Sequence, residues 1–247
     1  MCHLNEESGE YMNNRQSGDL VILILCGGKG ERLSPLTDKI PKPLIPIDGT
    51  PILTHLISYL ELFGFRKFIM AAGYKSEKIF EYFEHHHKNL EIKIIDSGDV
   101  DIIKRIQDAA PLISGDFIMC YGDTLADVNM MKLIQFHRKH KAGITITSYP
   151  LQSPFGILEM GRSGQIQTFV EKPILDKWIN IGYFYFGKEC LTRIKKSHSF
   201  VEFLKEQSRR GEMFSYRHRG IHITVNTITE LREAENNIAK ITTLLNR

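Results

Sequence analysis

Residues 20–25, Leu-Val-Ile-Leu-Ile-Leu, are apolar without interruption, the pattern of a strand covered on both faces inside a parallel sheet. Residues 51–63 instead repeat their apolar positions at helical spacing, with Pro51 near the start and Gly64 as a stop. The alternation continues through strand 67–72, helix 76–86 with Ser76 placed as its N-cap, strand 91–95, helix 101–112 and strand 116–120. Strands and helices in this order predict right-handed crossovers and an α/β, Rossmann-like, doubly wound sheet. After helix 127–141 the rhythm changes. Strands 144–148, 157–160, 166–170 and 181–186 follow at short spacing, with Gly161-Arg162-Ser163-Gly164 as a hairpin turn, and predict an antiparallel addition in the second half. Helices 188–196 and 201–210, strands 213–217 and 221–225, and helix 229–245 complete the pattern. No linker or repeat interrupts it, so residues 20–247 read as one domain behind a flexible extension, 1–19.

Composition narrows the classes without choosing one. With 247 residues, 42 % of them hydrophobic, the chain can bury a large core. Lys and Arg number 32 against 29 Asp and Glu, a net charge of +3; that is too mild for a dedicated nucleic-acid binder. No apolar run approaches the roughly 20 residues that span a bilayer. The first residues lack a basic stretch followed by an apolar one, so no targeting signal is expected. Cys2, Cys26, Cys120 and Cys190 have no Cys-x-x-Cys spacing. A cytoplasmic home is expected, with Cys26 and Cys120 as small buried hydrophobes.

The candidate chemistry gathers at strand ends. The first strand runs into Cys26-Gly27-Gly28-Lys29-Gly30-Glu31-Arg32-Leu33, where glycines allow backbone N–H groups to approach an anion and Lys29 and Arg32 add charge. The stretch is neither a dinucleotide fingerprint, since Leu33 stands at the third glycine, nor a P-loop. By itself it could equally be a surface turn. Fourteen residues beyond Gly28, Lys42 sits between Pro41 and Pro43, a stiffened point charge or a proline-rich turn. Asp123 ends strand 116–120 as a possible Mg²⁺ ligand or as the cap of a turn. Glu171-Lys172-Pro173 ends another strand, and Trp178-Ile179-Asn180-Ile181-Gly182 opens the next.

Together and in order, Gly27 to Leu33, Pro41-Lys42-Pro43, Gly122-Asp123, Glu171-Lys172-Pro173 and Asn180-x-Gly182 resemble the sugar-1-phosphate nucleotidyltransferase family over about residues 20 to 240. Tyr121 to Asn129 and Trp178-Ile179-Asn180 are most similar to the glucose-1-phosphate cytidylyltransferases within it. The resemblance implies the nucleotidyltransferase fold and transfer of a cytidylyl group from CTP to a sugar-1-phosphate, with release of pyrophosphate. It implies that Leu25, Gly27, Gly28, Gly30 and Arg105 contact the nucleotide. Arg32, Lys42 and Lys172 would be catalytic, Arg32 on the triphosphate and Lys172 on the attacking phosphate. Gly156, Glu171 and Asn180 would hold the acceptor, and Asp123 would hold Mg²⁺. A homo-oligomer and a role in nucleotide-sugar and polysaccharide biosynthesis are also implied.

The chain departs from the family in three places. Asn226, in Thr224-Val225-Asn226-Thr227, occupies the place of a second metal aspartate, offering a carbonyl oxygen in place of a charge. The loop 96–105 is short and lacks paired glycines, which bears on base choice. Ile181 replaces a glycine and is expected to crowd the acceptor. Two alternatives therefore stand beside the main reading: a non-sugar phosphate or phosphonate acceptor, such as phosphocholine or a phosphorylated amino acid, or a nucleotide binder impaired in catalysis. An NAD-dependent oxidoreductase is disfavoured by the missing fingerprint glycine. His85-His86-His87 are expected to decorate a helix end, His137 and His140 a solvated basic face, Tyr183 strand packing at the border of the acceptor pocket, and Arg217-His218-Arg219 plain surface charge.

Overall fold

Ile22, Leu23 and Ile24 have no exposed surface, and strand β1 (Val21–Leu25) that holds them pairs in parallel on both sides. The structure is a computed structural model describing residues 19–245. The expected extension 1–19 lies outside the described residues except for Asp19, whose carboxylate accepts from Lys67 Nζ at 3.1 Å.

After β1 come the short pair β2 (Pro46–Ile47) and β3 (Thr50–Pro51), then α1 (Ile52–Glu61), β4 (Lys67–Ala72), α2 (Ser76–His85), β5 (Glu91–Asp96), α3 (Ile102–Ala109) and β6 (Phe117–Tyr121). Next are β7 (Thr124–Ala126), α4 (Met130–His140), β8 (Ile144–Gln152), the hairpin β9 (Ile157–Met160) and β10 (Ile166–Val170), and β11 (Ile174–Phe186). The chain ends with α5 (Cys190–Ile194), α6 (Phe200–Arg209), β12 (Met213–Arg217), β13 (His222–Thr224) and α7 (Ile228–Leu245).

The main sheet has the order β12-β8-β11-β6-β1-β4-β5. Only β11 runs against the others, pairing antiparallel with both β6 and β8, while β12 returns parallel to β8. The antiparallel component is therefore β11 together with the β9–β10 hairpin and the β7–β13 pair. This topology lines up the carboxyl ends of β1, β4, β5, β6, β8 and β12 with the amino-terminal half of β11 along one edge, where ligands of open α/β sheets bind. One face packs Ile22 and Ile24 against α1, α4 and α7; the other packs Leu23 against α3, α5 and α6.

Several local expectations are corrected by tertiary contacts. Ser76 does not cap α2: Lys75, at φ 53°, takes that place, and the Ser76 hydroxyl donates to Asp96 Oδ2 at 2.7 Å. The helix predicted from residue 127 begins at Met130, because Asn129 caps it and 124–126 form β7. Strand β11 starts seven residues earlier than position 181, since its amino-terminal half pairs with β8. His137 is buried against Tyr185, with ring centroids 3.9 Å apart, and bonds Thr145 Oγ1 at 2.9 Å, so it belongs to the core and not to a solvated face. Burial lowers its pKa to about 4. His86 stacks on Tyr82 just past the end of α2, as a helix-end residue does. Cys26, Cys120 and Cys190 are buried free thiols, and burial pushes Cys26 up to about 12.

Candidate active site

Loop 26–33 leaves β1 at the ligand edge, and its course is held from below by Arg105 of α3. The buried guanidinium donates to Ala72 O at 2.8 Å, Gly27 O at 3.0 Å and Val100 O at 2.9 Å. Three backbone carbonyls from three segments thus share one cation, which ties the loop to the end of β4 and to the loop 96–101. A Cβ at Gly27 would lie 1.7 Å from Arg105 Nη1, so any larger residue there must displace this buried, triply bonded guanidinium; a Cβ at Gly28 would meet nothing within 4 Å. Gly30, at φ +65°, turns the chain into a short 3₁₀ turn that buries Leu33. Lys29 leans outward to Asp99 at 2.6 Å.

The turn brings Lys42 under the loop. Pro41 and Pro43 flank it in a second 3₁₀ turn, and only 8 % of the residue is exposed. Its ammonium donates to Asp123 Oδ2 and, at 2.9 Å, to Asn226 Oδ1. Arg32 Nη2 donates to the same Asn226 oxygen at 3.3 Å. Two cationic and two oxygen-bearing side chains, up to 194 residues apart, meet at one point. The oxygens of Asp123 and Asn226 already converge on a cation, and an acidic oxygen with a neutral carbonyl oxygen suits Mg²⁺ when phosphates supply further ligands. The donor set is chemically compatible with that ion, and Asp123 and Asn226 are the side chains that could hold it.

Asn226 is itself held. Glu230 Oε2 accepts from the Asn226 backbone N–H at 2.9 Å, from Asn226 Nδ2 at 3.0 Å and from Thr224 Oγ1 at 2.9 Å. The Glu230 N–H in turn donates to Thr227 Oγ1 at 3.2 Å. With its amide nitrogen committed to Glu230, Asn226 must present Oδ1 to Lys42 and Arg32. Glu230 escapes a residue-by-residue search for charge, yet the Thr227-x-x-Glu230 spacing of a capping box announces a fixed helix start.

Two adjoining cavities form the cleft. One, of about 400 Å³, is lined by Leu25, Gly27, Gly28, Arg105, Asp123 and Tyr121, with Val100 to Ile102 as its far wall. The other, of about 630 Å³, adds Gly30, Arg32, Lys42 and Asn226. The short loop 96–105 therefore builds a wall of the cleft; Asp101 caps α3 and Asp96 Oδ1 accepts from Gly98 N at 2.9 Å.

Asn180 lies near Tyr121, and its Oδ1 accepts from the Gly182 N–H at 2.9 Å; burial raises the Tyr121 pKa. Gly182, at φ +80°, leaves room for the Tyr121 ring, whose Cδ2 a Cβ would meet at 2.5 Å. Ile181 does not crowd this place. Strand alternation turns its side chain to the opposite face, into the core with Tyr183 and Tyr185. Tyr183 is fully buried, its hydroxyl accepting from Ala126 N at 3.1 Å, and it lines neither of these two cavities. Gly156, Glu171 and Lys172 lie outside both cavities, at the base of the exposed β9–β10 hairpin. A Cβ at Gly156 would come within 2.9 Å of Glu171 Oε2, and Lys172 turns the chain at φ 47° with its side chain exposed.

Among the described residues no helix is long and apolar enough to cross a membrane, and no three His, Cys, Asp or Glu side chains cluster to hold a metal by themselves. Residues 21–240 match the nucleotidyl transferase family. The chain is similar to the "Probable glucose-1-phosphate cytidylyltransferase" of Bacillus subtilis, 35 % identical over 85 % of this chain and 93 % of that one. It is 31 % identical to the glucose-1-phosphate cytidylyltransferase of Salmonella typhimurium, over 84 % and 91 % of the two chains. Among solved structures, HddC from Yersinia pseudotuberculosis superposes with a TM-score of 0.70 at 22 % identity, covering 89 % of this chain and 99 % of that one.

Proposed function

Because this chain belongs to the nucleotidyl transferase family and is an enzyme of that kind, we propose that it transfers a cytidylyl group from CTP to glucose-1-phosphate or a similar sugar-1-phosphate, releasing pyrophosphate. The observation that carries this reading is the meeting of Lys42, Arg32, Asp123 and Asn226 under a glycine loop at the sheet edge. The names of the two cytidylyltransferase relatives support cytosine. On this reading the product is a CDP-activated sugar made in the cytoplasm for polysaccharide synthesis, by a homo-oligomer that binds neither nucleic acid nor membrane.

The acceptor's phosphate oxygen attacks the α-phosphorus of CTP as the bond to pyrophosphate breaks in line. A phosphate monoester with a second pKa of about 6 is already largely dianionic at neutral pH, so no general base is needed. The chain's task is positioning and neutralisation. Backbone N–H groups at Gly27, Gly28 and Gly30 receive the triphosphate, Arg32 holds the departing pyrophosphate, and Lys42 neutralises charge between them. Arg105 keeps the loop in place from beneath, and Leu25 lines the base pocket. Asn180, Gly156 and Glu171 bind the acceptor, and Lys172 meets its phosphate. Asp123 and Asn226 would hold Mg²⁺, which when bound would lower the charge barrier between the two phosphates. The bracing of Asn226 by Glu230 supports a working site over a degraded one.

The test is pyrophosphate release with Mg²⁺, crossing the four common nucleoside triphosphates with a panel of sugar-1-phosphates and small phosphorylated or phosphonate acceptors. Release requiring both CTP and glucose-1-phosphate is expected. Release with another triphosphate would overturn the base, and release with only a non-sugar acceptor would overturn the acceptor.

A further inference from the structure

Beyond Asn180, on the same sheet face, lies a cluster that the reading above does not use. Trp178 stands two residues before Asn180 on β11, so both side chains leave the same face about 7 Å apart. The guanidinium of Arg217 lies 5.2 Å from the Trp178 ring centre, and that of Arg219 lies 5.0 Å from it. Register fixes the arrangement: Asn180 pairs with Ser148 on β8, and Ser148 pairs with Arg217 on β12. Asn180, Ser148 and Arg217 thus form one row across three neighbouring strands, placing Arg217 about 10 Å from Asn180 at the backbone.

Both arginines are exposed, and no carboxylate among the described residues pairs with either. Stacking on an aromatic ring occupies the face of a guanidinium and leaves its edge N–H donors free. Ring contact also limits the rotamers of both long side chains, which reduces the entropy lost when they bind. Two guanidiniums, each within about 5 Å of one ring and without a carboxylate partner among the described residues, concentrate positive charge and N–H donors that suit an anionic oxygen group.

We propose that Trp178, Arg217 and Arg219 form a distal subsite of the acceptor cleft, taking a second anionic group carried by the acceptor in addition to its reacting phosphate. The preferred acceptor is then a sugar-1-phosphate that also bears a carboxylate or a further phosphate, with glucose-1-phosphate a weaker member of the same class. This inference deepens the nucleotidyltransferase reading and rests on it for the word acceptor; the subsite itself can be tested without nucleotide.

Trp178 is the sole tryptophan in the chain, so intrinsic tryptophan fluorescence reports this cluster directly. The probes are glucose-1-phosphate and glucuronic acid 1-phosphate, which differ only by oxidation of one hydroxymethyl group to a carboxylate. Titrated without nucleotide, glucuronic acid 1-phosphate is expected to bind at least tenfold more tightly and to change the Trp178 emission. In Arg217→Gln/Arg219→Gln the preference should disappear while the affinity for glucose-1-phosphate stays within about twofold, a control that also shows the variant is folded. Equal affinity for the two probes, no fluorescence response to either, or a preference that survives the double substitution would overturn the subsite. If pyrophosphate release from CTP and glucose-1-phosphate proceeds while the preference is absent, the subsite fails alone. If no triphosphate supports release while the preference is present, the functional reading fails and the anion subsite stands.

Discussion

Glu230 and Asn226 form a matched pair: the carboxylate accepts from the amide nitrogen at 3.0 Å, so the amide oxygen must face Lys42 at 2.9 Å. The neutral residue at this place is built in by its neighbour. An aspartate would set two carboxylates against each other, where one ionised form disfavours the other.

Asn226→Asp is therefore expected to slow pyrophosphate release by about tenfold, about 1.4 kcal/mol, despite the added charge at the cation site. Asn226→Asp combined with Glu230→Gln should recover most of the loss, because the amide and carboxylate have exchanged places. A double-mutant cycle on kcat checks this. A single Asn226→Asp variant faster than the parent would contradict the pairing.

The glycine loop yields two opposite expectations from adjacent residues. Gly27→Ala collides with the Arg105 guanidinium and breaks its bonds to Ala72, Gly27 and Val100. A cost of about 3 kcal/mol follows, or roughly 6–12 °C in Tm for a chain of this size. Gly28→Ala has open space on the protein side and should stay within about 0.5 kcal/mol of the parent in stability. It should still weaken CTP binding, since its methyl group enters the cleft. Thermal melts together with CTP titrations separate the two.

Lys42 fills the space between the oxygens that are read as cation ligands. Lys42→Gln is expected to lower kcat by about 10²–10³, the scale for losing one preorganised charge at the reacting phosphates. It should also free Asp123 and Asn226, so that Mg²⁺ alone raises the Tm of this variant more than that of the parent. An equal Mg²⁺ response in both would place the ion elsewhere.

His137 and His222 are each held by burial at a pKa of about 4, below the usual value of 6.5. Folded-state depression of a histidine means that the unfolded chain binds the extra proton. Stability is therefore unaffected above pH 6.5 and falls as pH drops from 6.5 toward 4, by up to about 1.4 kcal/mol per pH unit for each residue. His137→Gln should flatten the acid slope of chemical denaturation midpoints in that window. A slope unchanged in the variant would show that His137 does not titrate this way.

The sheet was legible because its signal is local. An unbroken apolar run at β1, helical spacing in α1 and strict strand bounds at β4 each follow from burial of residues near in sequence. Ser76 and the start of α4 depart from the local pattern because partners distant in sequence claim Ser76 and Asp127: Asp96 accepts from the Ser76 hydroxyl, and Asp127 Oδ1 accepts from the Ile221 N–H and meets His218. His137 looked solvated among basic neighbours and is core, since its ring happens to face Tyr185.

Most of the element order, the glycine loop and the charged side chains that a phosphate site needs can be read along the chain, because each is a property of neighbouring residues; the short strands β2, β3 and β7 cannot. Which of these residues meet depends on how distant segments pack. Asp123, Asn226 and Lys42 converge from three separate segments, Arg105 serves backbone carbonyls, and Ile181 turns into the core on the alternation of β11. Trp178 gains two arginines through the register of a strand lying between them. Such pairings arise from how strands align and helices pack across the sheet, and a linear pattern of residues carries no measure of that distance.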